Sequence, residues 1–120
     1  MGKSNSLGAW GEEQAKQFLE QQGFTCIERN YHSRYGEIDL IMENQDFLIF
    51  VEVKLRKNNR YGTPGEAVTL KKQERLRNTA LLYLQAHEIG KQPRFDVIEI
   101  YAPQGMDTKP LPISHIENAF

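Results

Sequence analysis

The stretch GEIDLIMENQDFLIFVEVK, residues 36–54, constrains the fold more than any other part of the chain. Residues 47–54 are apolar on both faces until the end of the run, as in a strand covered from both sides at the centre of a sheet. A shorter strand over residues 37–43 precedes it, and Asn44, Gln45 and Asp46 supply a tight turn between the two. The core has to be built around this hairpin. Yet the hairpin carries Glu37, Asp39, Glu52 and Lys54, four ionisable groups where apolar side chains are expected.

Side chains on a strand alternate between faces, so Glu37 and Asp39 share one face, and Glu52 and Lys54 share one face. If Asn44 and Phe47 close the turn, Asp39 falls opposite Glu52 and Glu37 falls opposite Lys54. Cβ atoms of opposed residues lie about 4.5–5.5 Å apart. Two carboxylates so placed repel by about 4 kcal/mol at 4 Å and an effective dielectric of about 20. Protonation of one acid, a cation between them or a shifted register would each relieve this. A divalent ion is the most economical relief: Mg²⁺ takes oxygen ligands and is held by one or two carboxylates plus water and phosphate oxygens. Lys54 would then stand beside the ion, able to bond a phosphate oxygen or to position an attacking water. The plainer alternative is a pair of polar strand ends tied by an exposed Glu37–Lys54 ion pair.

The elements on either side are consistent with a layered α/β domain. Leu7, Trp10, Ala15, Phe18 and Leu19 recur at helical spacing over residues 7–22, and Gly23 follows as a C-terminal cap. Glu12 falls three residues before Ala15 and seven before Leu19, so it points to the apolar face of that helix and could join a metal site; alternatively it is an exposed acid beside Glu13. Residues 24–31 read as a strand of mixed character. Residues 57–65 form a loop rich in Asn, Gly and Pro. Thr69 caps a second helix running to about residue 88, with Leu76, Ala80, Tyr83 and Leu84 on its buried face. Residues 94–101 make a fourth strand, residues 103–112 are irregular, and residues 113–120 add a short last element. The order is helix, three strands, helix, strand.

At 120 residues, with 39% hydrophobic and 26% charged side chains, the chain suits a single globular domain over residues 1–120. No apolar run approaches the ~20 residues of a membrane span, and the N-terminus does not read as a signal peptide. A single cysteine, Cys26, fits a reducing compartment, so the expected location is cytoplasmic. The net charge is −1, but its distribution is uneven. Lys54, Arg56, Lys57, Arg60, Lys71, Lys72, Arg75 and Arg77 face only Glu66 and Glu74 in that window, a local excess of six positive charges. Such a stripe attracts polyanions whatever the overall charge, although a solvated helix face has the same composition. Other chemistries lack their parts. His32, His87 and His115 have no zinc spacing, GTPGEAV lacks the lysine and hydroxyl of a P-loop, and no serine sits in a nucleophile elbow.

Asp39, twelve intervening residues and Glu52-Val53-Lys54 match the order of the PD-(D/E)XK nuclease motif. With GAWGEEQAKQFLEQQGF, ERNYHSRYGEIDLI, FVEVKLRKNNRYGTPGEAV, KKQERLRNTALLYL, RFDVIEI and HIENAF, the chain resembles the YraN family over nearly its whole length. That family is similar to the archaeal Holliday-junction resolvases. The resemblance implies a restriction-endonuclease-like αβββαβ core, a mixed sheet flanked by helices. It implies Asp39 and Glu52 as ligands of Mg²⁺ or Mn²⁺, with the Val53 carbonyl as a third, Lys54 as the catalytic lysine and Glu12 as the acid of the first helix. Gln73 would orient Lys54 or the attacking water. Ile38 stands where the motif's name has proline, and Arg77 stands where some exonuclease-type relatives carry tyrosine four residues after the glutamine.

The expected function is metal-dependent endonucleolytic cleavage of DNA, branched or structured DNA included. Arg56, Lys57, Arg60, Lys71, Lys72 and Arg75 would hold phosphates in a salt-dependent manner. The loop over residues 57–65 would be the mobile part near the substrate. Resolvases act on two strands related by symmetry, which is compatible with a homodimer. The alternatives are a nucleic-acid-binding module of the same fold with little catalytic power, and an interaction protein whose charges form surface ion pairs only.

Overall fold

The computed structural model describes residues 6–57, 68–88 and 90–120. Helix α1 (Ser6–Gln21) is followed by strands β1 (Thr25–Ser33), β2 (Gly36–Glu43) and β3 (Phe47–Arg56). Helix α2 (Leu70–Ala86), strand β4 (Gln92–Tyr101), a short 3₁₀ turn at Gly105–Asp107 and strand β5 (Ile113–Ile116) complete the chain. The αβββαβ order expected from the sequence is present, with β5 as the short last element. The sheet runs β1-β2-β3-β4-β5, antiparallel except for the parallel β3–β4 pair. A parallel pair requires a long crossover, and α2 lies within it. Most of the loop expected at residues 57–65 lies outside the described residues. No helix among the described residues is long and apolar enough to cross a membrane.

The sheet is buried on both faces, as the two-sided apolar character of residues 47–54 demands. On one face Ala15 and Leu19 of α1 pack against Leu40, Met42, Ile49, Val51, Ile98 and Ile100. On the other, Leu76, Ala80 and Tyr83 of α2 pack against Ile41, Leu48, Phe50 and Val97. Alternation along β3 therefore divides Ile49 and Val51 from Leu48 and Phe50, and it carries Glu52 to the α2 face.

Local signals set the element ends. Gly23 adopts a left-handed φ of 97°, and the Gly23 and Phe24 amides bond back to the Glu20 and Leu19 carbonyls. Only glycine takes this conformation without a steric penalty, which explains why α1 stops there. The Thr69 hydroxyl accepts the Lys72 amide at 3.1 Å and so caps α2, a contact worth about 1 kcal/mol. In the β2–β3 turn the Asn44 amide donates to the Phe47 carbonyl, and the Asn44 side chain accepts from the Asp46 and Phe47 amides. The turn sets the register: Glu43 faces Leu48, Met42 faces Ile49, Ile41 faces Phe50 and Leu40 faces Val51.

Candidate active site

The β2–β3 ladder stops at Leu40–Val51, one step before Asp39 would face Glu52. Beyond that step the two strands follow different partners. β2 continues alongside β1 to Gly36, while β3 continues alongside β4 to Arg56. A fork opens between them, and the Asp39 side chain spans it: Oδ2 accepts the Val53 amide at 2.8 Å. The register expected from the turn holds as far as Leu40–Val51, and Asp39 and Glu52 are the next residues on either side of the point where the pairing ends. The Glu37–Lys54 pairing does not. Glu37 instead faces His32 on β1, with His32 Nε2 3.9 Å from Glu37 Oε2, and no ion pair joins Glu37 to Lys54 among the described residues. The reason is the fork itself, because Glu37 and Lys54 lie on its diverging arms.

Asp39, Glu52 and Val53 line a cleft of about 520 Å³ that is walled by Glu37 of β2 and by Lys72 and Arg75 of α2. Asp39 is 9% exposed and Glu52 5%. Burial pushes the Glu52 carboxyl up from its ordinary value, and the Asp39 charge pushes it further. Lys72 and Lys54 pull it down without cancelling the rise. Lys72 Nζ lies 2.9 Å from Glu52 Oε2, and Lys54 Nζ lies 3.7 Å from the same oxygen. The sheet thus presents two neighbouring buried carboxylates with two ammonium groups converging on one of their oxygens.

The other expected site residues are distributed around this centre. Glu12 is buried at 3% exposure under α1, where its Oε1 accepts from Asn30 Nδ2 at 2.9 Å; it does not line the cleft. Gln73 donates to the Val68 carbonyl at 3.0 Å, a contact at the start of α2 rather than one to Lys54. Of the basic stripe, Lys72 and Arg75 reach the cleft, whereas Lys57 and Lys71 are exposed and do not line it. Arg56 is engaged elsewhere, in an ion pair with the buried Glu99. Arg60 lies outside the described residues.

Two contributors had little signal in the sequence. Asn30 lies opposite Asp39 in the β1–β2 register, between the Arg29–Leu40 and Tyr31–Ile38 pairs, and holds a left-handed φ of 52°. Asparagine tolerates that conformation, but nothing in a strand pattern announces it. Glu99, 1% exposed, accepts from the Tyr101 hydroxyl at 2.6 Å as well as from Arg56 and faces Lys54 in the β3–β4 register. An acid inside the apolar run of β4 was the available clue.

The donor set fits a hard divalent cation. Asp39 and Glu52 offer carboxylate oxygens on adjacent strands at the edge of an open cleft, and the raised pKa of Glu52 reflects first its burial and then the neighbouring Asp39 charge. No group of three or more His, Cys, Asp or Glu side chains is arranged to enclose a metal among the described residues. Such a site would have to complete its coordination with backbone carbonyl, water or substrate oxygen, as Mg²⁺ sites do.

The family model described as "Uncharacterised protein family UPF0102" matches residues 11–100. A UPF0102 protein of Syntrophomonas wolfei is 44% identical over 118 residues, covering 98% of this chain and 99% of its own length. One from Symbiobacterium thermophilum is 48% identical over 120 residues, covering 98% of each chain. One from Rhodococcus opacus is 44% identical over 121 residues and covers the whole of both. With a family match over the core elements and full-length relatives at this identity, the chain belongs to the UPF0102 family.

Proposed function

We propose that this protein is a metal-dependent endonuclease that hydrolyses phosphodiester bonds in DNA, branched or structured DNA included. The observation that carries the reading is the fork: Asp39 and Glu52 are brought together at the mouth of a cleft whose other wall supplies Lys72 and Arg75. The PD-(D/E)XK order of Asp39, Glu52 and Lys54, and the resemblance to resolvase-like nucleases, support the same assignment.

Asp39 and Glu52 would hold Mg²⁺ or Mn²⁺, with the Val53 carbonyl as a further oxygen and Glu12 acting from behind through Asn30. The cation supplies electrostatic stabilisation of the charge that builds on the phosphate. Lys54, on the strand end next to Glu52, would orient the attacking water or the scissile phosphate. Arg75 and Lys72 would seat the phosphate backbone on the α2 side, with Lys57 and Lys71 adding longer-range attraction. Arg56, held by Glu99, would stiffen the strand that presents Lys54.

The test is cleavage of labelled four-way, flapped and linear DNA, and of RNA, with Mg²⁺ or Mn²⁺ and with chelator. Asp39→Asn is the informative variant, because Asp39→Ala would also strip the acceptor from the Val53 amide. We expect Asp39→Asn and Lys54→Ala each to lose on the order of a hundredfold or more in rate while remaining folded. Cleavage that persists in both variants would sink the assignment. Wild-type protein that binds DNA in a salt-dependent manner but never cuts it would leave the binding module as the better reading.

A further inference from the structure

Glu52 Oε2 is a contested atom. It belongs to a carboxylate assigned above to the divalent ion, yet Lys72 Nζ already sits 2.9 Å from it and Lys54 Nζ 3.7 Å from it. The two lysines differ in freedom. Lys54 is carried on β3 and its side chain is 28% exposed; Lys72 reaches over from the first turn of α2 and is 44% exposed. Its backbone is fixed by the Thr69 cap, so the long stem alone determines where the ammonium goes. Arg75, one helical turn further along α2, lines the same cleft.

We propose that Lys72 is a positioning residue that serves as the resident counter-cation of Glu52 and exchanges with the divalent ion. The inference rests on Asp39 and Glu52 being the metal ligands. In the metal-free protein Lys72 offsets the repulsion between two buried carboxylates. A divalent ion bound to Glu52 repels an ammonium held 2.9 Å from Oε2, and the two compete for the carboxylate's lone pairs. When the ion enters, Lys72 leaves, and its shortest retreat is toward Arg75, where the two side chains together make a phosphate clamp. Metal loading and polyanion binding are therefore coupled through one side chain, and by linkage each strengthens the other.

The experiment titrates Mn²⁺ into full-length metal-free protein by calorimetry and follows thermal unfolding with and without Mn²⁺. It compares wild type with Lys72→Gln, with Asp39→Asn, and with Arg77→Gln, which removes the same charge on the same helix from a position over the Phe120 ring. Lys72→Gln should bind Mn²⁺ about three- to tenfold more tightly, the scale of a half-exposed ion pair that no longer has to be broken together with the removal of a nearby positive charge. It should melt earlier than wild type without metal and gain more from adding it. Arg77→Gln should stay within about twofold of wild type. Equal or weaker binding by Lys72→Gln, in a series where wild type binds and Asp39→Asn does not, would overturn the exchange while leaving the metal site standing. An equal tightening by Arg77→Gln would also overturn it, as a general charge effect. Failure of every protein to bind, or wild-type binding that Asp39→Asn retains, would remove the metal site and the exchange together.

Discussion

Glu52 and Asp96 are buried acids on neighbouring register positions of the β3–β4 pair, since Glu52 faces Val97 and Asp96 faces Val51. They project to opposite faces of the sheet and are treated in opposite ways. Asp96, fully buried, takes the Arg94 Nε and Nη2 donors at 2.9 and 2.8 Å and the Asn118 amide at 3.1 Å, with His115 Nε2 at 2.7 Å. Burial alone would push its carboxyl up, but the His115, Arg94 and Asn118 hydrogen bonds bring it below the ordinary range. Glu52 meets a second carboxylate and flexible lysines, and its carboxyl ends up above the ordinary range. The first site is complete within the chain. The second is only compensated, by groups that can move. A saturated buried acid acts as a structural latch, whereas one left short of fixed partners is a place where a ligand can complete the structure.

If that contrast is right, the largest effect on stability comes from the saturated site. Asp96→Ala should cost about 3–5 kcal/mol, because it leaves Arg94 and His115 without their shared anion. It also frees the C-terminal segment, where the Asn118 amide bonds to Asp96, the Ala119 amide to the Phe95 carbonyl, and Phe120 stacks on Phe95. Urea denaturation measures this directly. A loss below about 1 kcal/mol would mean that Asp96 is not the latch described.

A smaller effect follows from acid. Because the folded-state pKa of Asp96 is depressed, the unfolded chain takes up a proton first as the pH falls. The stabilisation is therefore fully present above the unfolded value of about 3.9 and is lost as the pH drops through the lower folded value. Urea midpoints of wild type and Asp96→Asn should differ most near neutral pH and converge as the pH falls below the unfolded value of about 3.9. A gap that is constant across that window would assign the Asp96 contribution to packing rather than charge.

The two sites were also unequally legible in the amino-acid sequence. The Asn44 turn and the apolar alternation around it determine the β2–β3 register, so the pairing could be counted as far as Leu40 and Val51, next to Asp39 and Glu52. Counting failed at Glu37 and Lys54, because strand alternation carries no information about where two strands part. Lys72 could be assigned to a basic stripe but not to Glu52, since that contact depends on how α2 lies across the sheet. The Asp96 latch depends on β5 and the last residues folding back against β4, a pairing of elements that local pattern does not predict. Asn30 is the same case on a smaller scale: its left-handed backbone and its bond to Glu12 of α1 belong to the assembled fold, and no local pattern announces them.

The smallest effect, and the one with opposite sign, belongs to Glu52. Glu52→Gln keeps the shape of the side chain and removes one of two neighbouring buried negative charges. It also gives up the Lys72 contact, but that ammonium is 44% exposed and regains water when released. The relief of repulsion and the lost ion pair nearly offset each other, so the metal-free variant should be unchanged in stability or gain up to about 1 kcal/mol. The corresponding neutral substitution at Asp96 should be destabilising at the same pH. Denaturation of both variants in chelator-treated buffer compares the two acids on equal terms. A loss above about 2 kcal/mol for Glu52→Gln would show that Lys72 and Lys54 complete the site as firmly as Arg94 and His115 complete theirs, which would leave no incomplete site for a cation to fill.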